Sequence, residues 1–271
     1  MLFLRSLACQ IMFYLNFFFH GLATPIALLT TRAVAWAIAV QWMHGILFFW
    51  RWTTGSTYEY RGVENIPDGG FIIGSKHQST WETIGLAPLM YEIVFILKKE
   101  LMYIPIFGWF CAKAKMIPIN RGKGSKVIGP MTEKAREAIE AGRRIVIFME
   151  GTRVQPGSML PYKVGVVRLY QDLNCPIVPI AVNTGLFWPK NGFWRYKGHV
   201  VIEVLPPIMP GLGVQEALQE LERRVETATN NLILETAMGD NPPPTIHAAI
   251  ANLKERGVDV SAAEAALELK M

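Results

Sequence analysis

Charge is almost absent from the first 50 residues of this 271-residue chain, which contain two arginines and no acidic residue. Uncharged runs of 26 and 18 residues lie between Arg5, Arg32 and Arg51. Each run approaches the roughly 20 apolar residues that a helix needs to cross a bilayer. Gly21 interrupts the first run, so we expect two apolar helices joined near residues 20–25, which either cross the membrane as a hairpin or lie in one leaflet.

A cleaved signal peptide is the alternative interpretation of this segment, because Arg5 followed by an apolar stretch resembles the basic and apolar regions of a leader. The apolar pattern continues far beyond any cleavage point, which favours a retained membrane anchor. Arg5, Arg32 and Arg51 are spread too evenly for the positive-inside rule to fix an orientation. The sequence therefore leaves the topology open.

Cysteine is also scarce, and several motifs are missing. The three cysteines, Cys9, Cys111 and Cys175, form no CxxC pair, which indicates a reducing compartment and argues against structural zinc. Cys111 and Cys175 stand in apolar contexts away from any histidine, which disfavours a catalytic thiol. None of the seven serines lies in a G-x-S-x-G nucleophile elbow, and without an H-E-x-x-H motif or clustered histidines no metal is implied.

The chain as a whole is basic, with a formal net charge of +5 and a pI near 9.1. Excess cations beside a membrane anchor suit an anionic lipid surface or a phosphorylated substrate. No nucleic-acid-binding motif interleaves aromatic residues with these cations, so we expect no nucleic-acid partner.

After residue 51, short apolar runs alternate with helical patterns. The runs are too uniformly apolar for strands with one wet face, so they predict a buried sheet. Strands are predicted at 71–75, 93–97, 116–120, 144–149, 176–182 and 199–205, and helices at 81–91, 129–142 and 162–174. This alternation predicts an α/β fold, with a mixed, mostly parallel sheet flanked by helices and an N-terminal apolar two-helix membrane anchor.

Composition divides the chain into three predicted parts. We expect membrane-anchoring helices over 1–52, one main domain over 53–240 and a helical tail over 241–271. The tail begins within the GDNPPP stretch of residues 239–244 and is predicted to form one or two small, alanine-rich, peripheral helices.

The stretch KHQSTWE places His77 five positions before Glu82. In a continuous helix these positions lie about 140° apart, so the two side chains would diverge. A predicted strand ends before His77 and a predicted helix begins after it, so the chain bends between the two residues. The carboxylate can then accept a hydrogen bond from one ring nitrogen and leave the other free as a base. Ser79 and Glu82 also fit an S-x-x-E capping box, and the two roles are compatible.

A second candidate site follows the predicted strand 116–120. Arg121 opens a basic, glycine-rich turn, RGKGSK, which is not a P-loop. Such a turn can hold a phosphate through its charge and its backbone N–H groups. The alternative interpretation is a solvated basic loop.

The third candidate site follows the predicted strand 144–149. Its residues are Glu150, Gly151, Thr152 and Arg153. Glycine permits a sharp turn or a close approach to a ligand, threonine offers a hydroxyl, and arginine can bind a phosphate with two hydrogen bonds. The alternative is an ordinary turn held by a pair between the glutamate and the arginine.

Together these stretches resemble the glycerolipid acyltransferase family, the lysophosphatidic acid (1-acyl-sn-glycerol-3-phosphate) acyltransferases of membrane phospholipid synthesis. The family's first motif, N-H-x-x-x-x-D, corresponds to residues 76–82, and its second, which ends in an arginine after an apolar strand, corresponds to MIPINR with Arg121. Its third motif, E-G-T-R, matches residues 150–153 letter for letter, and its fourth, an apolar strand with a central proline, matches PIVPIAV with Pro179. The resemblance covers residues 70–210.

Two positions depart from the family pattern: Lys76 replaces the usual asparagine and Glu82 the usual aspartate. The resemblance implies direct transfer with no acyl-enzyme, in which His77 removes the proton of a lysophospholipid hydroxyl and Glu82 orients the imidazole. It implies that Arg121 and Arg153 bind the phosphate of the substrate. Glu150, Gly151 and Thr152 would support this binding.

The resemblance also implies partners and a location. The acceptor is lysophosphatidic acid and the product phosphatidic acid, with acyl-CoA or an acyl carrier protein thioester as co-substrate and no other cofactor. We expect membrane lipids around the anchor, and a domain on the cytoplasmic side of the cell (inner) membrane. The alternatives are an O-acyltransferase of the same fold that acts on another lysolipid, such as lyso-ornithine lipid, and a noncatalytic lipid-binding membrane protein.

Overall fold

The computed structural model describes residues 1–90, 92–120 and 128–270. The strands are β1 (Thr57–Arg61), β2 (Ile72–Ser75), β3 (Ile93–Lys98), β4 (Ile117–Ile119), β5 (Arg144–Phe148), β6 (Ile177–Val182) and β7 (His199–Val204). The helices are α1 (Leu2–Leu22), α2 (Thr24–Leu29), α3 (Arg32–Thr54), α4 (Trp81–Leu89), α5 (Phe107–Lys113), α6 (Ile128–Glu140), α7 (Gly165–Leu173), α8 (Val214–Met238), α9 (Ile246–Glu255) and α10 (Ser261–Glu268).

The sheet is mixed and mostly parallel, as predicted. Its strand order is β1-β7-β6-β2-β5-β3-β4, and within the described residues β6 and β7 are its antiparallel pair. Strand β2 lies between β5 and β6, with Ser75 opposite Phe148 on one side and Ile180 on the other. Because β2, β5 and β6 are parallel, the loops at their carboxyl ends meet at one edge of the sheet.

Both faces of the sheet are covered, which explains why its strands are uniformly apolar. Successive side chains of a strand point to opposite faces. Accordingly, Ile73 belongs to the apolar cluster under α3, α4 and α9, whereas Ile72 belongs to the cluster under α6, α7 and α8. Both side chains are fully buried.

The predicted strands and helices agree with observed ones within a few residues, and four of the observed elements, β1, α2, α5 and α8, were not predicted. Strand β1 is a short edge strand whose residues alternate in character, so it lacks the apolar run that marks the others. Helix α8 has a helical pattern in its sequence. Its buried residues follow the spacing of three or four positions expected for one helix face: Ala217, Leu221, Val225, Glu226, Thr229, Leu232, Ile233 and Ala237.

The two apolar N-terminal helices are present. Helices α1 and α3 are each long and apolar enough to cross a membrane, and most of their residues lie outside the protein core. A third, short helix, α2, begins within the expected joint near residues 20–25, has Pro25 in its first turn and extends to Leu29. Asn16 joins α1 to α3 by donating its side-chain N–H to Trp42 O at 2.8 Å. It packs on Gly45, where an added Cβ would lie 2.6 Å from Asn16 Oδ1.

The C-terminal helices α9 and α10 are not peripheral, in contrast to the prediction. Ile246 and Leu253 of α9 are fully buried, and Ala263 of α10 is nearly so. These residues extend the apolar cluster that lies under α3 and α4. The alanine-rich composition allows this packing, because small side chains let the two helices approach α8 closely.

Candidate active site

His77 and Glu82 are in contact. Strand β2 ends at Ser75, a non-helical loop carries His77, and Glu82 lies in the first turn of α4. His77 Nδ1 lies 2.8 Å from Glu82 Oε1. A carboxylate only accepts hydrogen bonds, so the neutral imidazole carries its proton on Nδ1 and keeps a lone pair on Nε2. The chain bends between the two residues as the sequence requires.

Glu82 also closes the start of α4. Its Oε1 accepts hydrogen bonds from the backbone N–H groups of Gln78 at 2.8 Å and Ser79 at 2.7 Å. The hydroxyl of Ser79 accepts from Trp81 N at 3.1 Å, although Thr80 occupies the N-cap position. The capping and orienting roles therefore coexist on one carboxylate, whose side chain is completely buried.

Thr184 completes the environment of this carboxylate. It lies in the turn after β6, and its hydroxyl donates to Glu82 Oε2 at 2.7 Å. In the same region the Ser79 hydroxyl donates to Trp188 O at 2.7 Å. Thr184 was not predicted from the sequence. The available signal was its position directly after β6, the parallel neighbour of β2, because such strand ends meet at one sheet edge.

Phe148 fixes the plane of the imidazole. It is the last residue of β5, and its ring stacks on His77 with centroids 3.8 Å apart and planes inclined by 14°. The side chain of His77 is 15% exposed. The ring is therefore held by Glu82 at one edge and Phe148 on one face, and the remaining exposure is to the adjoining cavity.

The loop after β5 lies beside the His77 loop. Gly151 has a φ of +72°, a left-handed conformation that favours glycine. Arg153 Nη1 donates to Thr80 Oγ1 at 3.0 Å, and Val154 N donates to His77 O at 2.7 Å. Two segments that are more than 70 residues apart in sequence thus form a single site.

Glu150 is directed away from this site. Its side chain is fully buried, and its Oε1 lies 3.1 Å from the ammonium of Lys76. Burial raises the pKa of the Glu150 carboxyl above its usual range, and the charge of Lys76 opposes that rise. Of the four residues of the EGTR motif, Gly151, Thr152 and Arg153 line the cavity, whereas Glu150 faces the core.

A cavity of about 450 Å³ begins at these loops and continues between the apolar helices. His77, Thr80 and Arg153 form part of its polar wall. The rest of the wall is largely apolar, with many aromatic side chains, and comes mainly from α1, α3, α5 and the neighbouring strands. It includes Phe13, Phe17, Trp36, Trp42, Phe95, Phe107 and Phe110.

Cys111 also lines this cavity, but its thiol is poorly suited to nucleophilic attack. Burial raises its pKa to about 12, and the pKa of Cys175 is raised by burial to about 11. Because the thiolate is the reactive form, both groups remain protonated near neutral pH. Arg121 lies outside the described residues, as does the rest of the RGKGSK turn.

A histidine and carboxylate pair at the strand ends of an α/β sheet, opening onto an apolar cavity, is consistent with acyl transfer. Residues 57–183 match the family model described as Acyltransferase. The chain is 35% identical over 199 residues to the 1-acyl-sn-glycerol-3-phosphate acyltransferase of Pseudomonas aeruginosa, covering 73% of this chain and 77% of that protein. The chain therefore belongs to the 1-acyl-sn-glycerol-3-phosphate acyltransferase family.

More distant similarities agree with this assignment. The chain is 30% identical over 167 residues to the mouse 1-acyl-sn-glycerol-3-phosphate acyltransferase alpha, which it matches over 60% of its own length and 59% of the mouse protein's. The crystal structure of the 1-acyl-sn-glycerophosphate (LPA) acyltransferase PlsC from Thermotoga maritima superposes with a TM-score of 0.70. That alignment has 23% identity and covers 86% of this chain and 98% of the other, so it supports the fold.

Proposed function

We propose that this protein transfers an acyl chain from an acyl thioester to the sn-2 hydroxyl of 1-acylglycerol 3-phosphate, giving phosphatidic acid. The observation that carries the proposal is the hydrogen-bonded His77 and Glu82 pair on the wall of an apolar cavity that Arg153 also lines. The donor is acyl-CoA or an acyl carrier protein thioester, and no other cofactor takes part.

His77 is the general base in this proposal. Its Nε2 takes the proton of the acceptor hydroxyl as the oxygen attacks the thioester carbonyl carbon. The C–O bond forms, the C–S bond breaks, and the departing thiolate receives the proton from the imidazolium. Glu82 remains an acceptor for Nδ1–H throughout and stabilises the positive charge on the ring. General-base assistance of this kind contributes about 10²- to 10⁴-fold in rate.

Arg153 binds the acceptor phosphate in this proposal, together with Arg121. The guanidinium of Arg153 lies on the cavity wall and already donates to Thr80, whose residue belongs to the His77 loop. Its planar group can form two parallel hydrogen bonds to a phosphate. Gly151 and Thr152 line the same part of the cavity. Glu150 supports them from behind through its contact with Lys76 and does not bind substrate.

The aromatic part of the cavity is suited to an acyl chain. Burial of each methylene contributes about 0.8 kcal/mol, so a wall built from the side chains of α1, α3 and α5 binds a chain strongly without polar contacts. The polar wall then holds the reacting carbonyl near His77. A substrate with one charged end and one apolar end matches this division of the cavity.

We also propose that the N-terminal helices lie in one leaflet. Near one end of α1, Ser6 Oγ accepts a hydrogen bond from Arg195 N at 3.0 Å. Beyond its other end, Lys113 of α5 donates to Leu28 O at 2.9 Å, and Arg32 pairs with Glu92. Helix α1 is about 30 Å long, and the segments at both of its ends contact the domain that contains the sheet. A hairpin that crossed the bilayer would carry one end of α1 away from that domain.

Thiol labelling tests this topology. Ala33→Cys places a thiol at the connected end of the hairpin, and Ala262→Cys places a control thiol on the exposed face of α10. A membrane-impermeant maleimide should label both from the same side of sealed vesicles. Labelling from opposite sides would show that the hairpin spans.

An acyl-transfer assay tests the function itself. Purified protein is given 1-acylglycerol 3-phosphate with acyl-CoA or acyl carrier protein thioesters, and phosphatidic acid is measured by mass spectrometry. A parallel reaction contains lyso-ornithine lipid, which has no phosphate. We expect product from the phosphate acceptor. Product from the phosphate-free acceptor alone would overturn the acceptor assignment, and no product from either would overturn the proposed activity.

A further inference from the structure

A cluster of buried charges lies directly behind the candidate active site. Lys76 immediately precedes His77, and its side chain is only 1% exposed. Its ammonium lies 3.1 Å from Glu150 Oε1 and 2.5 Å from Glu226 Oε1. Glu150 in turn immediately precedes Gly151. The ammonium of Lys76 therefore contacts Glu150, which precedes the loop of residues 151–153, whereas the backbone of Lys76 belongs to the loop that carries His77.

Helix α8 and the C-terminal tail complete the cluster. Glu226 lies on α8 and accepts a hydrogen bond from Tyr162 at 2.7 Å and another from Arg256 at 3.0 Å. Arg256 follows α9 and also donates to Gly157 O at 2.9 Å. Two carboxylates and two cations thus balance each other: Lys76, Glu150 and Glu226 are buried, and Arg256 is partly exposed. Buried charges require such pairing.

The cluster acts in parallel with two direct contacts between the same loops. One is the backbone hydrogen bond from Val154 N to His77 O, and the other joins Arg153 to Thr80. The contact between Arg153 and Thr80 lies on the cavity wall, whereas Val154 is buried and the pair of Lys76 and Glu150 lies on the core side. The loops are therefore fixed relative to one another on both sides.

We infer that Lys76 is a positioning residue, which sets the separation of His77 and Arg153 through its buried contacts with Glu150 and Glu226. This inference rests on the proposed function, because it concerns the geometry of that site. The inference also explains why lysine takes the place of the usual asparagine. Glu150, after β5, and Glu226, on α8, are buried carboxylates that require a cation at this position. A misplacement of about 1 Å between reacting groups costs about 100-fold in rate.

The test compares Lys76→Met, Glu150→Gln and the double variant. Lys76→Met leaves the buried Glu150 without its cation, and Glu150→Gln leaves Lys76 paired with Glu226 alone. The double change removes both charges of the pair and keeps Glu226 bound to Tyr162 and Arg256. Three quantities are measured for each protein: the melting temperature, kcat and the amide hydrogen exchange of Val154. Arg61→Met with Glu235→Gln is the matched control, because it removes an ion pair between β1 and α8.

We expect Lys76→Met to lower kcat by about 10- to 100-fold and to accelerate exchange at Val154. The double variant should recover the melting temperature but neither kcat nor slow exchange, while the control pair leaves both at wild-type values. A double variant with wild-type kcat and wild-type exchange would overturn the inference, since the cluster would then serve stability alone. Exchange needs no substrate, so a wild-type protein that transfers no acyl group would contradict the proposed function while Val154 still reports on the loops.

Discussion

Lys76 and His77 are consecutive in the chain, yet their side chains occupy opposite environments. His77 keeps one nitrogen available on a cavity wall and is partly exposed, whereas Lys76 is buried among carboxylates. The loop after β5 shows the same division: Gly151, Thr152 and Arg153 line the cavity, and Glu150 faces the core.

The two faces differ in how their charges are satisfied. On the cavity face, the guanidinium of Arg153 bonds to a neutral hydroxyl, so its charge is available to an anionic ligand. On the core face, Lys76 and Arg256 are balanced by Glu150 and Glu226. Two residues that are adjacent in the chain can therefore face a cavity and a buried charge cluster, as Lys76 and His77 do.

Among changes that leave the imidazole in place, Glu82→Gln should have the largest effect. The amide replaces one carboxylate oxygen with a donor, which conflicts with the N–H and O–H groups that Glu82 now accepts. We expect kcat to fall by about 100- to 1,000-fold, measured by phosphatidic acid formation. Glu82→Asp keeps the charge and should retain more activity. Equal activity of Glu82→Gln and wild type would show that the carboxylate does not orient the base.

Arg153→Ala should have the next largest effect. It removes the guanidinium that lines the cavity and tests whether this group binds the phosphate. We expect kcat/KM for the phosphate acceptor to fall by about 10- to 100-fold, because a charge-assisted contact is lost. Arg153→Lys should recover part of this loss, and Arg168→Ala on the exposed face of α7 is the control. An unchanged KM and kcat for 1-acylglycerol 3-phosphate would contradict phosphate binding by Arg153.

A change in the apolar wall should alter selectivity more than rate. Ala39 of α3 lines the cavity, so Ala39→Phe removes volume available to an acyl chain. We expect the ratio of long-chain to short-chain transfer to fall by about tenfold, equivalent to loss of one or two buried methylenes. Ala37→Phe on the exposed side of the same helix is the control. An identical chain-length profile in both variants would place the acyl chain elsewhere.

Thr184→Val should have the smallest effect. It removes one of the donors to Glu82 and leaves the others in place. We expect kcat to fall about fivefold to tenfold, corresponding to roughly 1 kcal/mol in the activation barrier. Thr229→Val is a suitable control because Thr229 is buried on α8 and its hydroxyl has no hydrogen-bond partner in the described part of the chain. Equal losses in both variants would indicate a general packing effect.

The sequence predicted those parts of the site that are local in the chain. His77 and Glu82 are separated by one strand-to-helix turn, so their contact followed from the bend between two recognisable elements. The contact between Glu82 and Thr184 spans 102 residues, and that between Lys76 and Glu226 spans 150. No local spacing encodes such contacts, because strand order and helix packing create them. The edge strand β1 was not predicted for a related reason. Its position is fixed by its pairing with β7, which is distant in the sequence.

The most direct test of the account is acyl transfer by His77→Ala. The variant keeps the buried charge cluster and the Glu82 contacts to Gln78, Ser79 and Thr184, so it should fold and bind membranes like wild type. We predict that its formation of phosphatidic acid falls by about 100- to 10,000-fold, as expected for loss of an oriented general base. Wild-type turnover in a folded His77→Ala protein would contradict the account.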